Sequence, residues 1–190
     1  VFISVAHDEY WDLRQYQATK AAIEAGVNVL WLSGNSVFAV STFSATVIEL
    51  IHTATLVHDD TIDQSAVRRG LPTINALFDD QVSTILGDYI FTKAFHELVE
   101  RGLDTLVPVV ARTTYRMSIG EMLQIQQKDD LDLSEKAYFE LVDQKTASLM
   151  GASAEAGALV GRLGAERTSQ FRRFGEALGR AYQVTDDLFD

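Results

Sequence analysis

The sequence predicts an all-α protein built from long helices, and three observations favour this fold class. The chain of 190 residues contains 2 prolines and 12 glycines, so residues that break helices are few. Apolar residues make up 47% of the sequence and recur at the three- and four-residue spacing of amphipathic helices. No convincing β-hairpin interrupts this pattern. We therefore expect a single domain over residues 1–190 that consists of packed helices.

Composition and charge exclude several classes of protein. The chain has 16 basic and 27 acidic residues, a formal net charge of −11, whereas a nucleic-acid-coating protein needs a basic surface. The absence of cysteine excludes a disulfide scaffold and a thiolate metal site. No stretch of apolar residues is long enough for a transmembrane helix, and no signal peptide is visible. We expect a cytoplasmic protein with no nucleic-acid partner.

Apolar periodicity predicts the helices in chain order. The first covers residues 8–25, and the second covers 42–64. A Gly-Leu-Pro-Thr break at 70–73 follows. Later helices are predicted over 73–79, 82–101, 104–127, 134–160 and 165–190, with Pro108 in a first turn and Ser134 as an N-cap.

The first acidic segment, His-Asp-Asp-Thr-Ile-Asp at 58–63, has the spacing of a metal site. On a helix Asp59 and Asp63 share one face, and Asp60 lies about 100° away. Like charges at this spacing destabilise a helix, and a divalent cation would relieve the repulsion. Carboxylates of this kind suit Mg²⁺, which also binds substrate phosphates. An acidic face in contact with solvent is the alternative for this segment alone.

A second acidic segment repeats the pattern at 183–190, Gln-Val-Thr-Asp-Asp-Leu-Phe-Asp. Its acids, Asp186, Asp187 and Asp190, again stand at i, i+1 and i+4, and Gln183 precedes Asp186 by one turn. Both segments end long apolar stretches, so their carboxylates need partners. If the two segments meet at one end of a bundle, they would hold several divalent ions. By contrast, the acids at 79–80 and 129–132 lack this pattern, and we expect them to be solvated.

Basic and polar residues accompany the acids. Arg68 and Arg69 follow the first acidic segment, and guanidinium groups match the geometry of phosphate. Lys145 and Thr146 lie within a helix of otherwise apolar or small residues. The alternative for Lys145 is a lysine that extends from a core helix to solvent. Metals, arginines and a lysine together suit the binding of a diphosphate.

Taken together, these motifs resemble the trans-isoprenyl diphosphate synthases, or polyprenyl synthetases. The segments that carry the resemblance, from about residue 27 onward, are 49–63, 68–73 (Arg-Arg-Gly-Leu-Pro-Thr), 87–89 (Gly-Asp-Tyr), 120–124 (Gly-Glu-Met-Leu-Gln), 145–147 (Lys-Thr-Ala) and 183–190. The resemblance implies an isoprenoid synthase-type helical bundle with a deep central cavity. It also implies an Mg²⁺-dependent prenyltransferase that condenses isopentenyl diphosphate with an allylic diphosphate and forms a longer trans-polyprenyl diphosphate.

The resemblance also assigns roles to matching residues. The implied metal ligands are Asp59, Asp60, Asp63, Asp186, Asp187 and Asp190. The residues implied to be catalytic are Asp59, Asp63, Arg68, Lys145 and Asp186. The allylic diphosphate would contact Arg68, Lys145, Thr146 and Gln183, and isopentenyl diphosphate would contact His52 and Arg69. For His52, a hydrogen-bonded core histidine is the alternative.

The small side chains of Ala54 and Thr55 precede the first acidic segment, where family members with short products carry a bulky aromatic. We therefore expect a product of geranylgeranyl length or longer, with Phe91 and Phe95 as residues that close the cavity deeper down. The resemblance further implies a homodimer that associates through residues 82–124. A long lipid product would bring transient membrane contact without an anchor.

Two family features are missing: a Gly-Lys-x-x-Arg-Pro segment before the first acidic segment, and further helices after the second. One explanation is a degenerate subunit that cannot bind isopentenyl diphosphate. The other, which we favour, is a phosphate-binding loop left out between Gly26 and Val27, where the Cα–Cα distance would then exceed ~3.8 Å. Other functions that stay open are a non-catalytic partner subunit of a heteromeric synthase, a class I terpene cyclase and a purely structural bundle.

Overall fold

The computed structural model describes residues 2–5, 29–33, 36–39, 42–128, 130 and 132–189. Its backbone divides into two compact units: a middle unit, Thr46–Asp104, and an outer unit, which joins Val1–Ala45 to Thr105–Asp190. The predicted helix over 8–25 and the join between Gly26 and Val27 lie outside the described residues. The organisation as one domain stays a prediction.

The outer unit contains a small sheet that the sequence analysis did not anticipate. Strand β1 (Phe2–Val5) runs parallel to β2 (Val29–Ser33), and β2 pairs antiparallel with β3 (Ser36–Ala39). The expectation of no β-hairpin is therefore wrong. The missed signal is local, because an apolar run rich in branched and aromatic residues is separated from the next by two residues, Gly-Asn.

Helices make up most of the middle unit. Helix α1 (Thr42–Ile62) buries Val47, Ile51 and Ala54 along one stripe, the spacing of a helix that packs on one face. It is followed by the short strands β4 (Val67–Arg68) and β5 (Leu71–Pro72), the single turn α2 (Ile74–Leu77) and the long helix α3 (Asp80–Glu100).

Helix α3 begins two residues before its predicted start, because Asp79 caps it. The Asp79 carboxylate accepts a hydrogen bond from the backbone N–H of Val82 over 2.7 Å. Both Asp79 and Asp80 are exposed, as expected for the acids outside the two acidic segments. Described acids of the 129–132 run, Asp130 and Asp132, are exposed as well.

The remaining helices belong to the outer unit. A 3₁₀ turn (Asp104–Leu106) leads into α4 (Val107–Gln127), which carries Pro108 in its first turn. Helix α5 (Glu135–Val142), a π-helical turn (Asp143–Ala147), α6 (Ser148–Val160) and α7 (Ala165–Phe189) complete it. The predicted N-cap is confirmed, since Ser134 Oγ accepts a hydrogen bond from the N–H of Ala137.

The structure confirms the all-α fold class, but the prediction for one long helix was wrong. The helix predicted over 134–160 is interrupted by the π-turn, so its two halves do not share one continuous α-helical register. Helix α7 approaches this region closely because it carries glycine where a side chain would collide. A Cβ atom on Gly179 would lie 2.7 Å from the Cα atom of Ala147. Among the described helices, none combines the length and apolarity needed to cross a bilayer.

Candidate functional site

The first acidic segment ends helix α1 in the middle unit. The helical pattern extends one residue past the helix, because the N–H of Asp63 donates to the carbonyl of Asp59 over 2.8 Å. Asp59 is half-buried and Asp63 is exposed. Asp60 is 7% exposed and accepts a hydrogen bond from Arg68 Nε over 2.7 Å. The two outer acids of the segment therefore reach solvent, whereas the middle one is held by an arginine.

A tight hairpin positions the two arginines that follow. Strand β4 pairs with β5 so that Arg68 lies opposite Leu71, which leaves Arg69 and Gly70 as a two-residue loop. Both loop residues have positive φ angles, 52° for Arg69 and 76° for Gly70, as type I′ hairpin turns require. An arginine in this left-handed region costs about 1 kcal/mol, and strain of this kind concentrates at functional sites.

His52 lies two turns before the first acidic segment and is uncharged at neutral pH. Burial, together with the cations of Arg69 and Arg68, lowers the pKa of His52 to about 4. Its Nδ1 lies 4.0 Å from Glu49 Oε2, and burial raises the pKa of Glu49 although the Arg69 cation opposes that change. Attraction between a charged histidine and glutamate would shift both pKa values the other way, so burial dominates this pair.

Two other residues of the first acidic segment contact helix α3. His58 Nε2 lies 3.1 Å from the carbonyl oxygen of Thr84, and Thr61 Oγ1 donates to Ser83 Oγ over 2.7 Å. The imidazole fits only because Gly87 has no side chain: a Cβ atom there would lie 2.2 Å from His58 Nε2. These contacts join the end of α1 to α3 at Gly87, the first residue of the Gly-Asp-Tyr motif.

The outer unit carries the second acidic segment and the lysine. Lys145 Nζ lies 2.6 Å from Glu121 Oε2 and donates to Gln124 Oε1 over 2.8 Å, so two side chains of α4 hold it. Thr146 Oγ1 donates to Gln183 Oε1 on α7 over 2.7 Å. The structure thus brings together the side chains of Thr146 and Gln183, two of the predicted site residues. Lys145 is therefore a half-buried ion-pair partner as well as a candidate ligand of phosphate.

Gln183 contacts the middle acid of the second acidic segment. Its Nε2 donates to Oδ1 of Asp187, four residues later on the same face of the helix, over 2.8 Å. Tyr138 donates to the other oxygen of Asp187 over 2.5 Å, and burial and this hydrogen bond raise the pKa of Tyr138 to about 12. The phenol therefore remains protonated and fixes the carboxylate. Asp186 is half-buried, and Asp190 lies outside the described residues.

Sequence reasoning assigned no role to Tyr138, Glu121 or Gln124. The last two were visible as part of the Gly-Glu-Met-Leu-Gln motif, whose spacing places them on one face of a helix. Nothing in the sequence marked Tyr138, which lies 49 residues from Asp187. Within the described residues no three acidic or histidine side chains come together as a complete metal site. Carboxylates in pairs still match Mg²⁺, which takes oxygen ligands from one or two side chains and completes its shell with water and phosphate.

Comparison with known proteins identifies the family. A model of the polyprenyl synthetase family matches residues 25–190. Octaprenyl diphosphate synthase of Escherichia coli is 37% identical over 77% of this chain and 45% of its own length. Two solved structures also match. A decaprenyl diphosphate synthase from Rhodobacter capsulatus is 36% identical with a TM-score of 0.75, and the match covers 78% of this chain and 46% of that one. A polyprenyl synthase from Caulobacter crescentus, complexed with calcium and isoprenyl diphosphate, is 37% identical with a TM-score of 0.73, and the match covers 76% of this chain and 44% of that one.

The chain therefore belongs to the polyprenyl synthetase family and has its helical fold. It spans less than half the length of the relatives named above.

Proposed function

We propose that the protein is a chain-elongating trans-prenyltransferase. It condenses isopentenyl diphosphate with an allylic diphosphate and releases pyrophosphate and a longer polyprenyl diphosphate. The observation that carries the proposal is membership of the polyprenyl synthetase family with both acidic segments intact. A non-catalytic subunit has no need of two acidic segments, and a terpene cyclase would differ in the second.

The chain's own residues divide into two roles. The exposed carboxylate of Asp63 and the half-buried Asp59 and Asp186 are suited to hold Mg²⁺. Bound Mg²⁺ neutralises diphosphate oxygens and makes the diphosphate a better leaving group. Lys145, Thr146 and Arg68 supply donors to the allylic diphosphate, because ammonium, hydroxyl and guanidinium groups all bind phosphate oxygens.

The chemistry follows from the substrates. The C–O bond of the allylic diphosphate breaks and its electron pair leaves with pyrophosphate. The double bond of isopentenyl diphosphate then attacks the allylic carbon, and loss of a proton gives the new double bond. His52 and Arg69 would bind the isopentenyl diphosphate, with His52 as an uncharged N–H donor since its pKa is about 4. A neutral imidazole binds diphosphate by a hydrogen bond without adding charge.

We further propose that the enzyme acts as a homodimer. Helix α3 exposes Val82, Ile85 and Tyr89, which recur at three and four residues and form one apolar stripe. Light scattering of the full-length protein gives the mass of a dimer if the proposal holds. Ile85→Glu then shifts the mass toward the monomer, whereas Glu100→Gln, on exposed α3 surface, does not.

The activity is tested with the full-length protein, isopentenyl diphosphate, a farnesyl diphosphate starter and Mg²⁺. We expect products of geranylgeranyl length or longer, loss of all product with EDTA, and recovery when Mg²⁺ is restored. No product from the protein alone, but product after addition of a second synthase subunit, would instead favour the non-catalytic subunit. Cyclic hydrocarbon products would favour a cyclase.

A further inference from the structure

The π-turn Asp143–Ala147 carries Lys145 and Thr146, and one arginine outside the proposed machinery supports it. We propose that Arg116 is a positioning residue, which keeps this turn π-helical and so directs Lys145 and Thr146 toward the allylic diphosphate. This inference rests on the proposed function for its consequence in catalysis. The structural part, that Arg116 holds the turn, is tested separately below.

The π-turn lets two consecutive side chains reach two different helices. Lys145 contacts Glu121 and Gln124 on α4, while Thr146 contacts Gln183 on α7. Consecutive residues of a helix point about 100° apart. A π-helical turn contains one residue more than an α-helical turn. Removal of that residue would rotate one half of the helix by about 100° relative to the other and would break the contacts of Lys145 or Thr146. Single π-turns of this kind occur often at functional sites.

A π-turn disturbs the regular pairing of backbone groups, so its carbonyls need other donors. Two side chains supply them. Arg116 Nη2 donates to the carbonyl oxygen of Asp143 over 2.8 Å, and Ser148 Oγ donates to that of Gln144 over 2.6 Å. Arg116 Nε also donates to the side chain of Gln144 over 3.0 Å. The first two carbonyls of the turn are therefore capped from outside the backbone.

The guanidinium of Arg116 is itself held in place. Its Nη1 donates to Glu176 Oε1 on α7 over 2.9 Å, and both side chains are largely buried. Three donors of one planar group thus reach a carboxylate, an amide oxygen and a carbonyl at the same time. A lysine cannot reproduce this arrangement, because its single ammonium group lacks the fixed fork.

Glycines on α4 and α7 let the backbones of both helices pack against the π-turn. Gly120 lies one turn after Arg116 on α4, and a Cβ atom there would lie 2.6 Å from the backbone nitrogen of Lys145. Gly179 of α7 packs in the same way against Ala147, at the end of the turn. Helices α4 and α7 therefore pack directly on the turn, and Arg116 connects both helices to its first residue.

The structure offers a matched control one helical turn earlier. Arg112, also on α4, forms an ion pair with Glu155 of α6, outside the π-turn. Replacement of either arginine by glutamine removes one ion pair between α4 and a neighbouring helix. Only the replacement of Arg116 removes a donor from a carbonyl of the turn.

The first measurement is amide hydrogen exchange of the full-length protein. We expect Arg116→Gln to speed exchange of the amides at 145–149 about tenfold, the effect of losing one or two hydrogen bonds, and Arg112→Gln to leave these amides unchanged. Equal effects of the two variants, or no change in Arg116→Gln, would overturn the proposal. If Arg116→Gln does not fold, Glu176→Gln, which releases the guanidinium, replaces it in the same comparison.

The second measurement is steady-state kinetics with each substrate varied in turn. We expect Arg116→Gln to raise KM for the allylic diphosphate about tenfold and to leave KM for isopentenyl diphosphate unchanged, with no rescue by Arg116→Lys. A fall in thermal stability with unchanged KM would show a merely structural role and would contradict the proposal. Absence of activity in the wild-type protein would reject the proposed function, and the exchange measurement would still decide the role of Arg116.

Discussion

The guanidinium of Arg68 donates from Nε to Asp60 Oδ1 over 2.7 Å, and this bond joins the β4–β5 hairpin to the last turn of α1. Asp60 is the buried member of the first acidic segment, whereas Asp63 is exposed. Within the segment, Asp60 therefore stabilises the fold, while Asp63 faces solvent. Arg68 holds the end of α1 through Asp60, the buried middle acid of the segment.

Arg68→Gln is expected to lower the free energy of unfolding by about 1–3 kcal/mol, because it leaves a buried carboxylate without its charged donor. Chemical denaturation measures this change. Arg101→Gln is the matched control, since the ion pair of Arg101 with Glu97 is exposed to solvent, which screens such pairs. Similar losses in the two variants would contradict the structural role of Arg68.

His52 makes stability depend on pH. The unfolded imidazole takes up a proton near pH 6.5 and the folded one near pH 4, so the free energy of unfolding falls as pH decreases through this interval. The loss amounts to about 3 kcal/mol at most. The raised pKa of Glu49 acts in the opposite direction, and Arg68 and Arg69 are the cations near the imidazole.

Denaturation of the wild type and of His52→Gln between pH 4 and 7 tests this dependence. The difference between their free energies of unfolding at each pH largely removes the contribution of Glu49, which both proteins share. We expect a flatter profile for His52→Gln. Gln81, an exposed residue of α3 without a titratable side chain, provides the control, and Gln81→Ala is expected to keep the wild-type slope. A wild-type slope in His52→Gln would refute the lowered pKa.

Gly87→Ala is expected to displace His58 from the carbonyl of Thr84, because the new Cβ atom would occupy the place of the imidazole. The predicted loss of stability is about 1–3 kcal/mol, typical of overpacking, and activity falls as the first acidic segment shifts. Gly164→Ala, with open space around its Cα, is expected to have little effect. Thermal melts and product assays of both variants make the comparison.

Ala54→Phe is expected to shorten the product, because position 54 is where family members with short products carry a bulky residue. Ala54 is fully buried, so the aromatic ring enters the interior. Chromatographic sizing of the products measures the effect, with Ala76→Phe on an exposed turn as control. An unchanged product length in a folded Ala54→Phe would remove the chain-length argument.

Elements set by local signals were predictable. The apolar stripe of α1, the cap at Ser134 and the place of Pro108 in the first turn of α4 each depend on residues within one or two turns. The β4–β5 hairpin was not predictable, since Arg69 in its loop adopts a positive φ that arginine disfavours on its own. The π-turn is equally hidden, because Arg116 supports it from 27 residues away.

The candidate site shows the same division. Spacing predicted that Asp59 and Asp63 would share a helical turn, and the hydrogen bond between their backbones continues that turn. Gln183 and Asp187 are neighbours at the i,i+4 spacing of a helix. Spacing did not predict that Tyr138 would hold Asp187 or that Thr146 would hold Gln183. Contacts that cross between helices decide which acid is fixed, and a single sequence does not reveal them.

The central claim is that both acidic segments serve one reaction. Incorporation of labelled isopentenyl diphosphate into an allylic starter by the full-length protein tests it most directly, in wild type, Asp59→Ala, Asp186→Ala and the exposed-loop control Asp132→Asn. We predict Mg²⁺-dependent incorporation by wild type and Asp132→Asn, and a loss of at least about a hundredfold in each of the other two. Undiminished incorporation by either Asp59→Ala or Asp186→Ala would contradict the account.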